Sequence, residues 1–152
     1  MKLRRTFIAI VLPILMSAPV LADSHTVTVF QCVNKNDRQV KLTLINGQYQ
    51  YQFGKLNQQP DIEITRSPKQ LTQGFFQTRY ADTDTGYAAS QEIDFKNGTY
   101  TYTIFTNHSG SKIESGVEVY NKDKRLTKVV CVPNTVVDNI YEHLSEIPER
   151  PE

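Results

Sequence analysis

The residues able to do chemistry are few and scattered. Cys32 and Cys131 are the only cysteines. Two thiols can close a disulfide, ligate a metal or supply a nucleophile. No C-x-x-C spacing occurs, and no His stands near either Cys in sequence. In an exported chain such a pair reads as a disulfide. It would close a loop of nearly a hundred residues, which the chain-entropy model values at ~4–5 kcal/mol. His25, His108 and His143 are the only histidines. They are spread over the chain and read as scattered surface side chains rather than as a metal or general-base site.

Paired carboxylates are the other chemical option. Asp61/Glu63 and Glu92/Asp94 each stand two residues apart, which puts both members on one face of a strand. A hydrolase could use such a pair, but ordinary charge on the solvent face is expected. Asp82-Thr83-Asp84-Thr85-Gly86 has the start of a calcium loop. It lacks a third early ligand and the Glu at the twelfth position, so a solvated turn is expected. There is no Gly-x-Ser-x-Gly elbow and no phosphate-cradling glycine loop. The expectation is a protein that is not an enzyme, with no catalytic residue, metal or cofactor.

The elements that would carry these residues are strands. Ile93 to Phe105 holds two alternating runs around Asn97-Gly98, read as a hairpin with a type I′ turn. Val40, Leu42 and Leu44 share one face of a strand. Asn46-Gly47 turns it back into Tyr49, Tyr51 and Phe53. Thr26–Cys32, Asp61–Thr65, Gly74–Tyr80, Gly116–Tyr120 and Arg125–Val132 are further strands. Thr106 to Lys112 reads as a mobile polar loop. The stripes Tyr49/Tyr51/Phe53 and Tyr100/Tyr102/Ile104 could form a sugar or peptide platform, but core packing is expected. Thr99, Thr101 and Thr103 are expected to face solvent. Val136, Val137, Ile140, Tyr141 and Leu144 fall at helical spacing, so a helix is expected from about Thr135 to Ser145. Pro148 and Pro151 end it, leaving a loose tail. The fold class is therefore mainly β: an antiparallel meander forming a small sandwich or barrel, with one short C-terminal helix.

Residues 1–22 have a basic start, a short apolar run and a small-residue end at Val20-Leu21-Ala22. That is the pattern of a secretory signal peptide, and the apolar run is too short to span a bilayer. The expected organisation is a signal peptide over 1–22, a disulfide-closed β domain over 23–133, and a helix and tail over 134–152. The full chain carries +1. Cleavage removes Lys2, Arg4 and Arg5 and leaves 14 basic against 16 acidic side chains, or −2. That balance argues against nucleic-acid binding. A periplasmic or secreted location is expected, with no membrane span after cleavage.

From Cys32 to Cys131 the chain resembles a loose family of small exported two-cysteine β proteins of Gram-negative bacteria. The residues that carry the resemblance are Cys32, Tyr49-x-Tyr51-x-Phe53-Gly54, Ile93-x-Phe95-x-x-Gly98-x-Tyr100-x-Tyr102-x-Ile104-Phe105, Ser115-Gly116-Val117-x-Val119 and Cys131. The resemblance implies a compact disulfide-closed β fold and no particular activity. A second resemblance is to periplasmic lysozyme inhibitors, some of which insert a Ser-Gly-x-x-Tyr element into the lysozyme cleft. Here Ser115, Gly116 and Tyr120 match that element, with one residue more between Gly and Tyr. In a strand the added residue turns Tyr120 to the opposite face. The resemblance implies that Ser115, Gly116 and Tyr120 bind a protein partner in the cell envelope. The expected function is a small binding or inhibitory module, directed at a cell-wall lytic enzyme. The alternative is a structural or stress-related envelope protein.

Overall fold

The computed structural model describes residues 25–79 and 86–151. The expected signal peptide (1–22) and Asp82–Thr85 of the calcium-like stretch lie outside them. Among the described residues ten strands form two antiparallel sheets of five. The first sheet runs in the order β10-β1-β2-β3-β4. Its strands are β1 (Thr26–Val33), β2 (Arg38–Ile45), β3 (Gln48–Lys55), β4 (Ile62–Arg66) and the two-residue β10 (Val137–Asp138). The second is a meander of β5 (Thr72–Arg79), β6 (Tyr87–Asn97), β7 (Tyr100–Ser109), β8 (Lys112–Asn121) and β9 (Lys124–Val130). The result is a small sandwich, as the alternation of the strands predicts.

The core lies between the sheets. Tyr49, Tyr51, Phe30 and Leu42 of the first sheet and Phe95 and Ile104 of the second are fully buried. Tyr51 packs on Phe95 and Tyr102 with ring centroids 5.7 and 5.5 Å apart. The tyrosine stripe of β3 is therefore core. Cys32 of β1 and Cys131, just after β9, are joined as a disulfide, with their Cα atoms 5.7 Å apart. The bridge stands where the chain leaves the second sheet for the first. There the Cys131 amide donates to the Ser115 carbonyl and the Val132 amide to that of Val33.

Three turns show how the hairpins close. Asn46 and Gly47 both have positive φ, 49° and 78°, as a type I′ turn requires. Asn97 does not turn. It pairs with Tyr100, and the loop is Gly98-Thr99, with positive φ at Gly98 alone. That is the type II′ pattern, with glycine at the first loop position. Residues 106–112 are not a loop either. β7 runs on to Ser109 and β8 begins at Lys112, with Gly110 (φ 58°) opening the two-residue turn between them.

The C-terminal segment departs most from the expected helix. Residues Pro133–Thr135 form one 3-10 turn, Val137–Asp138 pair with β1, and the α-helix, α1, spans only Ile140–His143 before a second 3-10 turn at Leu144–Glu146. The β-branched Val136 and Val137 favour extended backbone. The Asp138 carboxylate accepts from the Ile140 amide at 3.0 Å and so satisfies one of the free N–H groups at the start of the short helix. The apolar spacing still buries Ile140, Leu144 and Ile147 in the core shared by the two sheets.

The tail that follows is docked, contrary to the expected loose end. The Gln73 amide donates to Pro148 (2.8 Å), and the Arg150 amide donates to Gln73 (2.7 Å). Glu149 thus forms a parallel bridge with Gln73 on the edge of β5.

Candidate binding surfaces

Ser115, Gly116 and Tyr120 all lie on β8, and the strand divides them. Ser115 faces the space between the sheets, is 4% exposed, and accepts from the Thr106 hydroxyl at 3.0 Å. Tyr120 faces the other way, and its hydroxyl donates to Glu118. That hydrogen bond, together with burial, pushes the Tyr120 phenol up to about 12. Gly116 is buried against β9, where a Cβ would overlap the Val129 carbonyl oxygen. It is a close-approach glycine. The structure does not bring Ser115 and Tyr120 onto one surface, as the extra residue between Gly116 and Tyr120 dictates.

The outward face of the second sheet differs from the expected solvated surface. Asp94 is 4% exposed. It accepts from Thr72 (2.9 Å), Thr103 (2.7 Å) and two nitrogens of Arg150 (2.8 and 2.9 Å). Arg150 also reaches Glu92 at 2.7 Å. The docked tail covers this part of the face, so Thr103 is buried with Asp94 rather than exposed. The Glu92/Asp94 pair is not ordinary surface charge. Each carboxylate is engaged by one guanidinium, whose own pKa the pair raises. Asp61 is paired with Arg38 at 2.7 Å, and Glu63 accepts from Gln52 at 2.7 Å.

The histidines are apart. His25 is exposed, His108 lies on β7 with its ring 6.1 Å from that of Tyr87, and His143 closes α1. The Tyr49 hydroxyl sits between Glu146 (3.0 Å) and His143 Nδ1 (3.2 Å). Its single proton goes to the carboxylate, so Nδ1–H of His143 donates to the phenol oxygen. Burial first, then the Glu146 hydrogen bond and charge, raise the Tyr49 pKa. The Tyr49 hydroxyl thus joins β3 to the C-terminal segment. Among the described residues no group of three His, Cys, Asp or Glu side chains is placed to hold a metal. No helix among them is long and apolar enough to cross a membrane.

An open trough was not visible in the sequence. The hairpin of β7 and β8 carries Thr106, His108, Ile113 and Ser115 on the face turned toward the first sheet. Val130 flanks them on β9, Pro133, Val136 and Asp138 complete the lining, and the trough holds about 840 Å³. A neighbouring hollow of about 310 Å³ shares Gln91 and His108 and is lined by Phe75, Tyr87 and Tyr141. The surface is mixed. Ile113, Phe75 and Tyr141 are 58%, 47% and 64% exposed. Asp138 is held by the Gln91 amide at 2.8 Å. The signal that would have found it is Ser109-Gly110-Ser111, a type II′ hairpin turn. Reading it that way makes residues 106–115 alternate and puts Ile113 beside Ser115 on one face. No protein family, no curated protein and no solved structure matches the chain.

Proposed function

We propose that the protein is exported, sheds residues 1–22, and works as a non-catalytic binding module that inhibits a cell-wall lytic enzyme. The observation that carries this reading is the β7–β8 hairpin, which presents an exposed Ile113 at the mouth of the trough. The scaffold beneath is fixed by the Cys32–Cys131 bridge and by the buried contacts of Thr106 and Ser115. A hairpin held in this way enters a cleft with little ordering cost, which favours tight binding. The disulfide supports an oxidising compartment, periplasmic or secreted. Ser115 supports the hairpin from below, and Tyr120, on the opposite face, takes no part in the contact.

The test is inhibition of a purified peptidoglycan-cleaving lysozyme by the mature protein. Inhibition near one-to-one stoichiometry is expected. Ile113→Asp should weaken it at least about tenfold, as loss of a central apolar anchor does, with the thermal transition unchanged. Full lysozyme activity in the presence of excess protein overturns the reading and leaves the structural envelope role.

A further inference from the structure

Each sheet has two edges, and an exposed edge strand is a template for pairing unless it is blunted. Three of the four edges here are blunted. β10 is two residues long. β4 is five residues long, bears Glu63 and Arg66, and is flanked by Pro60 and Pro68. β9 carries Lys124, Arg125 and Lys128 and no acidic residue. The fourth edge, β5, is covered only in its first half, where the tail pairs with Gln73.

Phe75–Thr78 has none of these guards, and the one charged residue of β5, Arg79, stands at its end. Backbone groups in an antiparallel edge strand point outward at every second residue. Gln73 points outward to the tail, so Phe75 and Gln77 do the same. Among the described residues nothing bonds to the outward backbone groups of Phe75 or Gln77. Phe75-Phe76-Gln77-Thr78 carries no charge and no proline. Phe75 and Phe76, on opposite faces of the strand, are 47% and 56% exposed.

We propose that this stretch pairs antiparallel with its counterpart in a second copy of the chain, joining the two second sheets edge to edge about a two-fold axis. Three observations select a second copy as the occupant. Gln73 already bonds an added segment through its outward N–H and C=O, and Phe75 and Gln77 present the same groups in the same direction. Phe75 through Thr78 has no charge to select an acidic or basic partner, and none to repel its own kind. It is self-complementary: with Phe75 opposite the partner's Gln77, both outward-pointing residues exchange bonds. Phe76 then meets the partner's Phe76 across the axis as an aromatic cross-strand pair. The tail on Gln73 confines the ladder to Phe75 through Gln77, so the dimer is weak and concentration-dependent.

Sedimentation velocity on the mature protein, from low micromolar to near-millimolar concentration, tests this. A reversible shift from monomer to dimer is expected. Phe76→Lys puts like charges together at the axis and should raise the dimer Kd at least about tenfold. Gln77→Pro removes an outward N–H that the β6 ladder does not use, and should do the same. Amide exchange at Phe75 and Gln77 should slow only at high concentration. A monomer throughout the range overturns the proposal, and so does a dimer that neither variant weakens. Lysozyme inhibition by Phe76→Lys at dilute concentration should match wild type, which keeps this inference separable from the inhibitor reading.

Discussion

Asp94 and Arg150, fifty-six positions apart, form a two-pronged ion pair, Nε to Oδ2 at 2.8 Å and Nη2 to Oδ1 at 2.9 Å. Asp94 is buried, and the Arg150 side chain is 45% exposed. The pair bonds the outward face of β6 to a tail whose backbone is already paired with β5. Thr72 and Thr103 fill the remaining carboxylate lone pairs. A buried carboxylate with every acceptor site occupied is stabilising only while its cation stays.

Replacing Arg150 with Ala therefore leaves Asp94 with two hydroxyl donors and no countercharge. The half-exposed guanidinium discounts the cost of a fully buried pair, so a loss of about 1–2 kcal/mol is expected. For a chain of this size that lowers Tm by roughly 3–8 °C. Arg38→Ala breaks a pair in which both partners are exposed, at 37% and 55%. It should cost less than about 0.5 kcal/mol. Thermal unfolding of both variants checks the contrast, and equal losses would show that the tail clasp carries no special weight.

Gly116→Ala separates a packing role from a binding role for the Ser115-Gly116 element. A Cβ at Gly116 meets the backbone carbonyl of Val129, which cannot move without breaking the β8–β9 ladder. Overpacking of this kind costs about 1–3 kcal/mol or more. Urea unfolding should show that loss, with residual inhibition per folded molecule unchanged. Normal stability with lost inhibition would instead make Gly116 a contact residue.

The parts of the fold legible in the sequence are those fixed by local chemistry. Asn46-Gly47 closes β2 onto β3 because both residues accept positive φ. At Asn97-Gly98 the pattern could not choose the register. Pairing Phe95 with Tyr100 or with Tyr102 keeps the same residues on the same face, because the two differ by a whole pleat repeat. The structure takes Phe95 with Tyr102. Residues 106–112 misled because their small polar side chains resemble a loop, although Thr106 is 1% exposed. The Arg150 clasp had no local signal. Only the meander brings Thr72, Asp94 and Thr103 together, and only then does a charged residue between two prolines find a site.

Alkaline pH tests the buried phenols. Burial first, and then the neighbouring Tyr102 phenol, raises the pKa of Tyr51. Burial and Glu146 raise that of Tyr49, and the Glu118 hydrogen bond raises that of Tyr120 to about 12. The unfolded value is about 10. Each group holds its proton more tightly in the folded state, so the folded state binds more protons above about pH 10 and stability falls as pH rises. The contribution is whole below about pH 10 and drains from there through the raised folded values. Urea midpoints should be flat from about pH 8 to pH 10 and then decline. Tyr49→Phe loses the hydrogen bonds to Glu146 and His143 and should cost about 1–2 kcal/mol at pH 8. Its deficit should shrink as pH climbs past about 10, because wild type alone then loses the proton-linked term. Tyr51→Phe, whose hydroxyl has no hydrogen-bond partner among those described, should be near wild type at pH 8 and relatively more stable above pH 10. Parallel pH profiles for wild type and both variants would show that these phenols do not titrate with unfolding, and the burial account of their shifts would fail.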